Sequence, residues 1–382
     1  MSERAKAIAI AAPAAAPVAE GTAGASSVRG QRIHFVDLLR LIASLQMVHG
    51  HTMDALMADE LRAGAAFDRW SWGRGLVSVS FLFAAGLAYH LSTLARFDQH
   101  RGDRGKVLHR FRRAAWLVVL GYLLHFPAAI FGGDAGAVAS ALREFAMVDV
   151  LQCIGLCIAT LELLTIFAKS ARQVVTVSAV LGLSAFALAP LGERLDPSGA
   201  WRPLVNYVTH QGGSLFPLLP WAGFVFAGVV VGELALPKGT RTSADLPLPR
   251  LVLSTIAVLG VALVANLAPF SLVVEETSRN SEPAFNLLKL GVVLTLVTLL
   301  CAVGRRITRL PRALQILSGE SLVLYVVHLL ILYGGGVGLY RTIGHTLPLP
   351  LAIATGFAMV VVMALIGLGW FRLKQWRKER RA

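Results

Sequence analysis

Charge is what this 382-residue chain has little of: Asp, Glu, Lys and Arg make up 15% of it, against about 25% in an ordinary soluble domain. With 55% of the residues hydrophobic, that deficit excludes a soluble globular enzyme. Cysteine is scarcer still. Cys153, Cys157 and Cys301 all lie in apolar runs, where a free thiol behaves as a small hydrophobe. No His or carboxylate completes a metal set with Cys153 and Cys157, so neither a metal site nor a disulfide framework is expected. Also absent are a glycine-rich phosphate cradle and an internal repeat of the kind that builds inverted-repeat transporters. No connection between the apolar runs reaches the roughly 50 residues that an independent domain needs. The formal net charge is +14. Excess Lys and Arg in loops orients a membrane protein, so nucleic acid is not an expected partner.

Apolar runs dominate what is there. About ten of them approach the roughly 20 residues that span a hydrocarbon core, near 33–53, 75–95, 114–131, 147–168, 172–191, 215–236, 249–271, 284–303, 314–334 and 347–372. Basic connections (RFDQHRGDRGKVLHRFRR, Lys169 with Arg172, Lys238 to Arg250, Arg305 to Arg312) alternate with acidic or balanced ones (Asp54 to Asp68, Asp134, Glu193 with Asp196, Glu275 to Glu282). The alternation predicts an all-α, polytopic helix bundle of about ten transmembrane helices with both termini cytoplasmic. Residues 1–30, rich in Ala, Pro and Gly, read as a disordered cytoplasmic tail, because Pro13, Pro17 and Glu20 break any signal-peptide core. Residues 31–373 read as one transmembrane domain and 374–382 as a basic cytoplasmic tail. The expected location is a bacterial inner (cell) membrane, with the lipid bilayer as partner and a homodimer left open.

The stretch Arg32 to Met53, RIHFVDLLRLIASLQMVHGHTM, is apolar enough to enter a bilayer yet carries Asp37, Arg40, His49 and His51. Ionisable groups at membrane depth are costly and usually face a bundle interior where they work. Eleven residues return a helix to within about 20° of its starting face, about 16 Å along the axis. Arg40 and His51 therefore share a stripe, with Asp37 and Ser44 near it, while His49 points to roughly the opposite side. A cation and an imidazole in line suggest a reaction conducted across the bilayer, with His51 as general base. Independent snorkelling of Arg40 and capping by His51 is the bland alternative, and an Asp37–Arg40 ion pair is another.

Other candidates follow in chain order. Arg74, beside Trp70 and Trp72, is an interfacial anchor or an acceptor-binding group. Arg110, Arg112 and Arg113 are topology determinants or contacts for the phosphates of a nucleotide-like donor. Asp149 is a helix N-terminal carboxylate or an orienting partner for a catalytic His, with Gln152 beside it. His328, in the middle of the ninth run, is a functional candidate by default. Gly86 and its Ala neighbours are read as close-packing positions.

Taken in order, FVDLLRLIASLQMVHGH, RFRRAAWLVVLGYLLHFP, VDVLQCIGL, FPLLPWAGF and SLVLYVVH resemble the heparan-α-glucosaminide N-acetyltransferase-like family, within the wider transmembrane acyltransferase superfamily. The first is also similar to the Arg-x10-His element of the acyltransferase-three family, which falls on Arg40 and His51. The resemblance implies ten or eleven helices that receive acetyl-CoA from the cytoplasm. The acetyl group then passes to a sugar acceptor on the other side, with a His in the catalytic role. Heparan-type members carry a further His in a large outer loop after the first span. Here that loop has no His beyond His51, so the catalytic His and the acceptor chemistry stay open. No lysosomal N-terminal domain precedes the spans, and heparan itself is not the expected acceptor.

The resulting expectation is a transferase that moves an acetyl or short acyl group from cytoplasmic acyl-CoA to a sugar amine or hydroxyl of a glycan or glycolipid. His51 and Arg40 are its catalytic candidates. Arg74, Asp149, Gln152 and His328 would bind substrate, and Arg110, Arg112 and Arg113 the donor. The alternatives are an O-acetyltransferase of surface polysaccharide and a non-enzymatic multi-span transporter.

Overall fold

The computed structural model describes residues 34–126, 128–235, 247–267, 279–307, 309–334 and 337–380. They fall in one compact unit, Arg32–Ala382. The expected tail, 1–30, and the loop charges Lys238, Arg241, Glu275 and Glu276 lie outside the described residues.

Among the described residues fifteen α-helices follow one another: α1 His34–Leu56, α2 Ala65–Ser92, α3 Phe97–Arg101, α4 Arg104–Leu124, α5 Ala135–Phe145, α6 Val150–Phe167, α7 Ala171–Gly192 and α8 Arg202–Val205. Then come α9 Leu218–Ala235, α10 Leu248–Leu267, α11 Pro283–Gly304, α12 Arg312–Gly319, α13 Ser321–Tyr333, α14 Leu339–Ile343 and α15 Leu349–Glu379. Their starts are written in the sequence. Asp103, Asp134, Asp149 and Ser170 cap α4, α5, α6 and α7, each side chain accepting a backbone N–H of the first turn. Prolines open α11 and α15, where a missing N–H costs nothing.

The chain is a helical integral membrane protein. By length and apolarity six helical stretches among the described residues can cross a bilayer, and a seventh if α12 and α13, bent by 68° at their junction, count as one. That falls short of the ten runs read from the sequence, for local reasons. Asp37, Arg40, Gln46, His49 and His51 dilute the apolarity of α1, and Arg110, Arg112 and Arg113 that of α4. α9 has 18 residues and a non-helical Leu219 near its start. At the far end α15 continues as helix through the basic stretch from Lys374 to Glu379.

Between helices that sit in lipid, close backbone approach does more than apolar burial, since lipid tails are as apolar as leucine. α2 and α9 show it. A Cβ on Gly86 would stand 1.8 Å from the Val225 carbonyl oxygen, and one on Gly228 would stand 2.1 Å from that of Phe83. Only glycine permits the approach, as read for Gly86. α1 packs against α2, α11, α12, α13 and α15. Phe35, Leu39, Val48 and Leu56 of α1 join the main apolar core, which leaves its polar stripe to face a single neighbour.

Candidate active site

That neighbour is the broken helix α12–α13, and the contacts between the two ascend in the same chain order. Ser318, in the last turn of α12, donates its Oγ–H to Asp37 Oδ1 at 3.0 Å. Arg40 Nη2 donates to Ser321 Oγ, at the first residue of α13, at 2.8 Å. His51 Nδ1 meets His328 Nε2 at 3.0 Å. The break at Glu320 exposes the polar start of α13 at the level of Arg40, and Lys374 of α15 pairs with Glu320. Asp37, Arg40 and His51 thus face one seam, as the helical arithmetic requires. Ser44 lies on it between the two ends, buried, its Oγ without a hydrogen-bond partner among the described residues. His49 turns elsewhere. Its ring lies 4.6 Å from that of Phe357 on α15, over Gly356.

His328 is fully buried. Its Nδ1 reaches the Leu324 carbonyl oxygen one turn back, at 2.8 Å. Tyr325, on the same face, stands edge-on to the His328 ring at 5.9 Å and donates its hydroxyl to Asp149 Oδ2 at 2.8 Å. Asp149 is thus a helix N-terminal carboxylate, and it reaches His328 only through Tyr325. Its Oδ1 accepts the Val150 N–H at 2.6 Å in a capping box whose other half is Gln152 Oε1, accepting the Asp149 N–H at 3.2 Å. Gln152 is a capping residue first, and its Nε2 is buried without a partner among the described residues. Arg74 reaches the seam from α2. It pairs with Asp54 at 2.8 Å, lays its stem over Gly50 beside His51, and stands over the Trp70 ring at 5.2 Å.

The α4 arginines lie apart from this seam. Arg110 donates to Ser92 Oγ at 2.6 Å and sits 5.7 Å over the Tyr89 ring, while Arg112 and Arg113 are exposed.

Two polar clusters were not read from the sequence. Inside the bundle, Glu162 is fully buried and takes the Tyr89 hydroxyl at 2.9 Å, with His100 Nε2 at 2.5 Å. Glu162 is the lone carboxylate of α6, a signal that alone marks it as worth testing. Beyond the end of α7, Glu193 accepts from the His210 Nδ1–H at 2.6 Å, Ser281 Oγ–H at 2.7 Å and Thr209 Oγ1–H at 2.9 Å. Burial alone would raise its carboxyl, but these donors outweigh it and hold it at about 2. Trp221 donates to His210 Nε2 at 3.1 Å, so both ring nitrogens are occupied and the cluster ties loops together. Loop residues distant in sequence leave no periodic trace. Among the described residues no three His, Cys, Asp or Glu side chains converge in a way that could hold a metal ion.

An apolar helix bundle with a cation and an imidazole pair along one internal seam marks an integral membrane protein with a candidate functional site at depth. The particular family follows from comparison. The catalytic-region model of heparan-alpha-glucosaminide N-acetyltransferase matches residues 32–265, more than half of the chain, and the chain belongs to that family. No curated protein matches it. Arg40, His51, Arg74 and Asp149 lie within the matched residues; Ser321, Tyr325 and His328 lie beyond them.

Proposed function

We propose that this membrane acetyltransferase carries an acetyl, or similar short acyl, group from cytoplasmic acyl-CoA to a sugar amine or hydroxyl of a glycan or glycolipid at the opposite face. One observation carries the reading: α1 presents Arg40 and His51 to a single helix, one at each end of the same seam. His51 takes the proton of the acceptor amine or hydroxyl as its nitrogen or oxygen attacks the thioester carbonyl. The new C–N or C–O bond forms, the C–S bond breaks, and the thiolate leaves with a proton returned to it. Arg40 holds the polar arm of the donor or the reacting carbonyl. Ser44, a buried hydroxyl in want of a partner, offers a further contact between them. In this reading Arg74, laid over Gly50 beside His51, and Asp149, which reaches His328 through Tyr325, are the acceptor-binding groups.

The alternation of basic and acidic connections supports this sidedness, in a bundle of ten crossings with both termini on the cytoplasmic side of a bacterial inner membrane. In that frame Arg110, Arg112 and Arg113 belong to the cytoplasmic surface, available to the donor's phosphates. A second copy of the chain could accompany it without altering the seam. The reading rests on acyl transfer and asks nothing of a metal.

The test is thiol release from acetyl-CoA by purified protein in liposomes, with a panel of amino sugars and glycans. Acceptor-dependent release that is lost in His51→Ala and kept in His49→Ala is the expected result. Equal loss in both variants would refute the seam. No release with any acceptor of the panel, together with no binding of acetyl-CoA, would favour a transporter.

A further inference from the structure

We infer that His328 is a positioning residue that sets the tautomer of His51 and leaves Nε2 as its basic nitrogen. The inference rests on the acyl-transfer reading of His51 and adds which atom does the chemistry, and why.

The logic starts at a backbone carbonyl. The Leu324 oxygen can only accept, so the hydrogen in its 2.8 Å contact belongs to His328 Nδ1. A neutral imidazole carries one N–H, which leaves His328 Nε2 bare. That bare nitrogen stands 3.0 Å from His51 Nδ1, a distance that holds one proton between two nitrogens. The proton is therefore on His51 Nδ1, and His51 Nε2 is bare in turn. Among the described residues His51 Nε2 makes no hydrogen bond, and His51 is the half-buried member of the pair while His328 is wholly buried. The lone pair that α1 presents at the end of its polar stripe is thus fixed by a carbonyl two imidazoles away.

The surroundings keep the relay from turning over. His328 has both ring nitrogens engaged and no exposed surface. The Tyr325 ring stands against it edge-on, and Asp149 holds Tyr325 by its hydroxyl. Once His51 Nε2 accepts a proton from the acceptor, the Nδ1–H bond to His328 strengthens, because the donor is then a cation. His328 stabilises the imidazolium without touching either substrate. That division of labour is a general one: a group on the far nitrogen sets which nitrogen is free.

Two measurements test this. Nitrogen-15 spectra of the full-length, histidine-labelled protein in detergent, with His51 assigned by its loss in His51→Ala, should show a protonated Nδ1 and a bare Nε2. A protonated Nε2 with a bare Nδ1 would overturn the inference, with no need of any substrate. For the kinetics, thiol release from acetyl-CoA is followed with the best acceptor of the panel. His328→Phe, which removes the acceptor and keeps a ring, should lower kcat about 100-fold with the acetyl-CoA KM unchanged. His328→Gln, whose carbonyl can take the His51 Nδ1–H, should recover most of that loss. Full activity in His328→Phe beside an inactive His51→Ala would discard the relay and keep His51 as base. An active His51→Ala would discard both. Should His328→Phe fail to fold, the tautomer spectrum of the unaltered protein decides alone.

Discussion

Asp149 does two jobs at once, so Tyr325→Phe should destabilise the unaltered protein and yet stabilise Asp149→Ala. Its Oδ1 caps α6 and its Oδ2 accepts from the Tyr325 hydroxyl, both groups being buried. Asp149→Ala loses the cap, worth about 1 kcal/mol. It also leaves a buried phenol unpaired, costing about 1–3 kcal/mol more. The total is about 3 kcal/mol. Tyr325→Phe leaves the cap intact and costs about 2 kcal/mol, the worth of a hydrogen bond to a charged group. The double variant should be more stable than Asp149→Ala alone, by about 1–2 kcal/mol, because the second change removes the orphaned hydroxyl. Reversible unfolding in mixed micelles reads all three. Activity separates them further. Tyr325→Phe keeps the ring that stands against His328 and should retain kcat within a few-fold, whereas Asp149→Ala also loosens the start of α6. Two single-variant losses that simply add in the double would refute the coupling and leave Asp149 as a cap only.

Other outcomes are as definite. Gly86→Ala should destabilise the bundle by about 1–3 kcal/mol, despite alanine's higher helix propensity, because its Cβ would stand 1.8 Å from the Val225 oxygen and force α2 from α9; thermal unfolding in detergent checks it. Glu193, held at about 2 against an ordinary 4.5, stabilises the fold fully above pH 4.5, and that contribution is lost as pH falls toward 2. Glu193→Gln should therefore lose less thermal stability than the unaltered protein between pH 5 and 3. Arg40→Lys keeps the charge but not the planar fork, so it should fold normally and turn over more slowly, with an assay of thiol release separating it from Arg40→Ala, which should also fold poorly.

How much of this could be read beforehand depends on the distance each feature spans along the chain. The stripe of α1 was legible because 3.6 residues per turn fix it within one helix: Asp37, Arg40 and His51 face one seam, and His49 faces α15. The cap at Asp149 and the close packing at Gly86 were legible for the same reason, as local chemistry with a local signature. The crossing count was less so. Of the ten runs read from the sequence, six helical stretches among the described residues, or seven with α12 and α13 taken together, meet the criteria of length and apolarity. What no periodicity supplies is the partner. His328 was a candidate from its depth alone, and nothing in one helix shows that it meets His51 from 277 residues away. Tyr325 was missed although it sits three residues before His328, because its importance comes from Asp149, 176 residues distant. A helix can announce which face is polar, but the neighbouring helix decides which nitrogen on that face is free. Here that decision falls on a segment beyond the matched catalytic region, so variation in α13 would retune the base while leaving α1 unchanged.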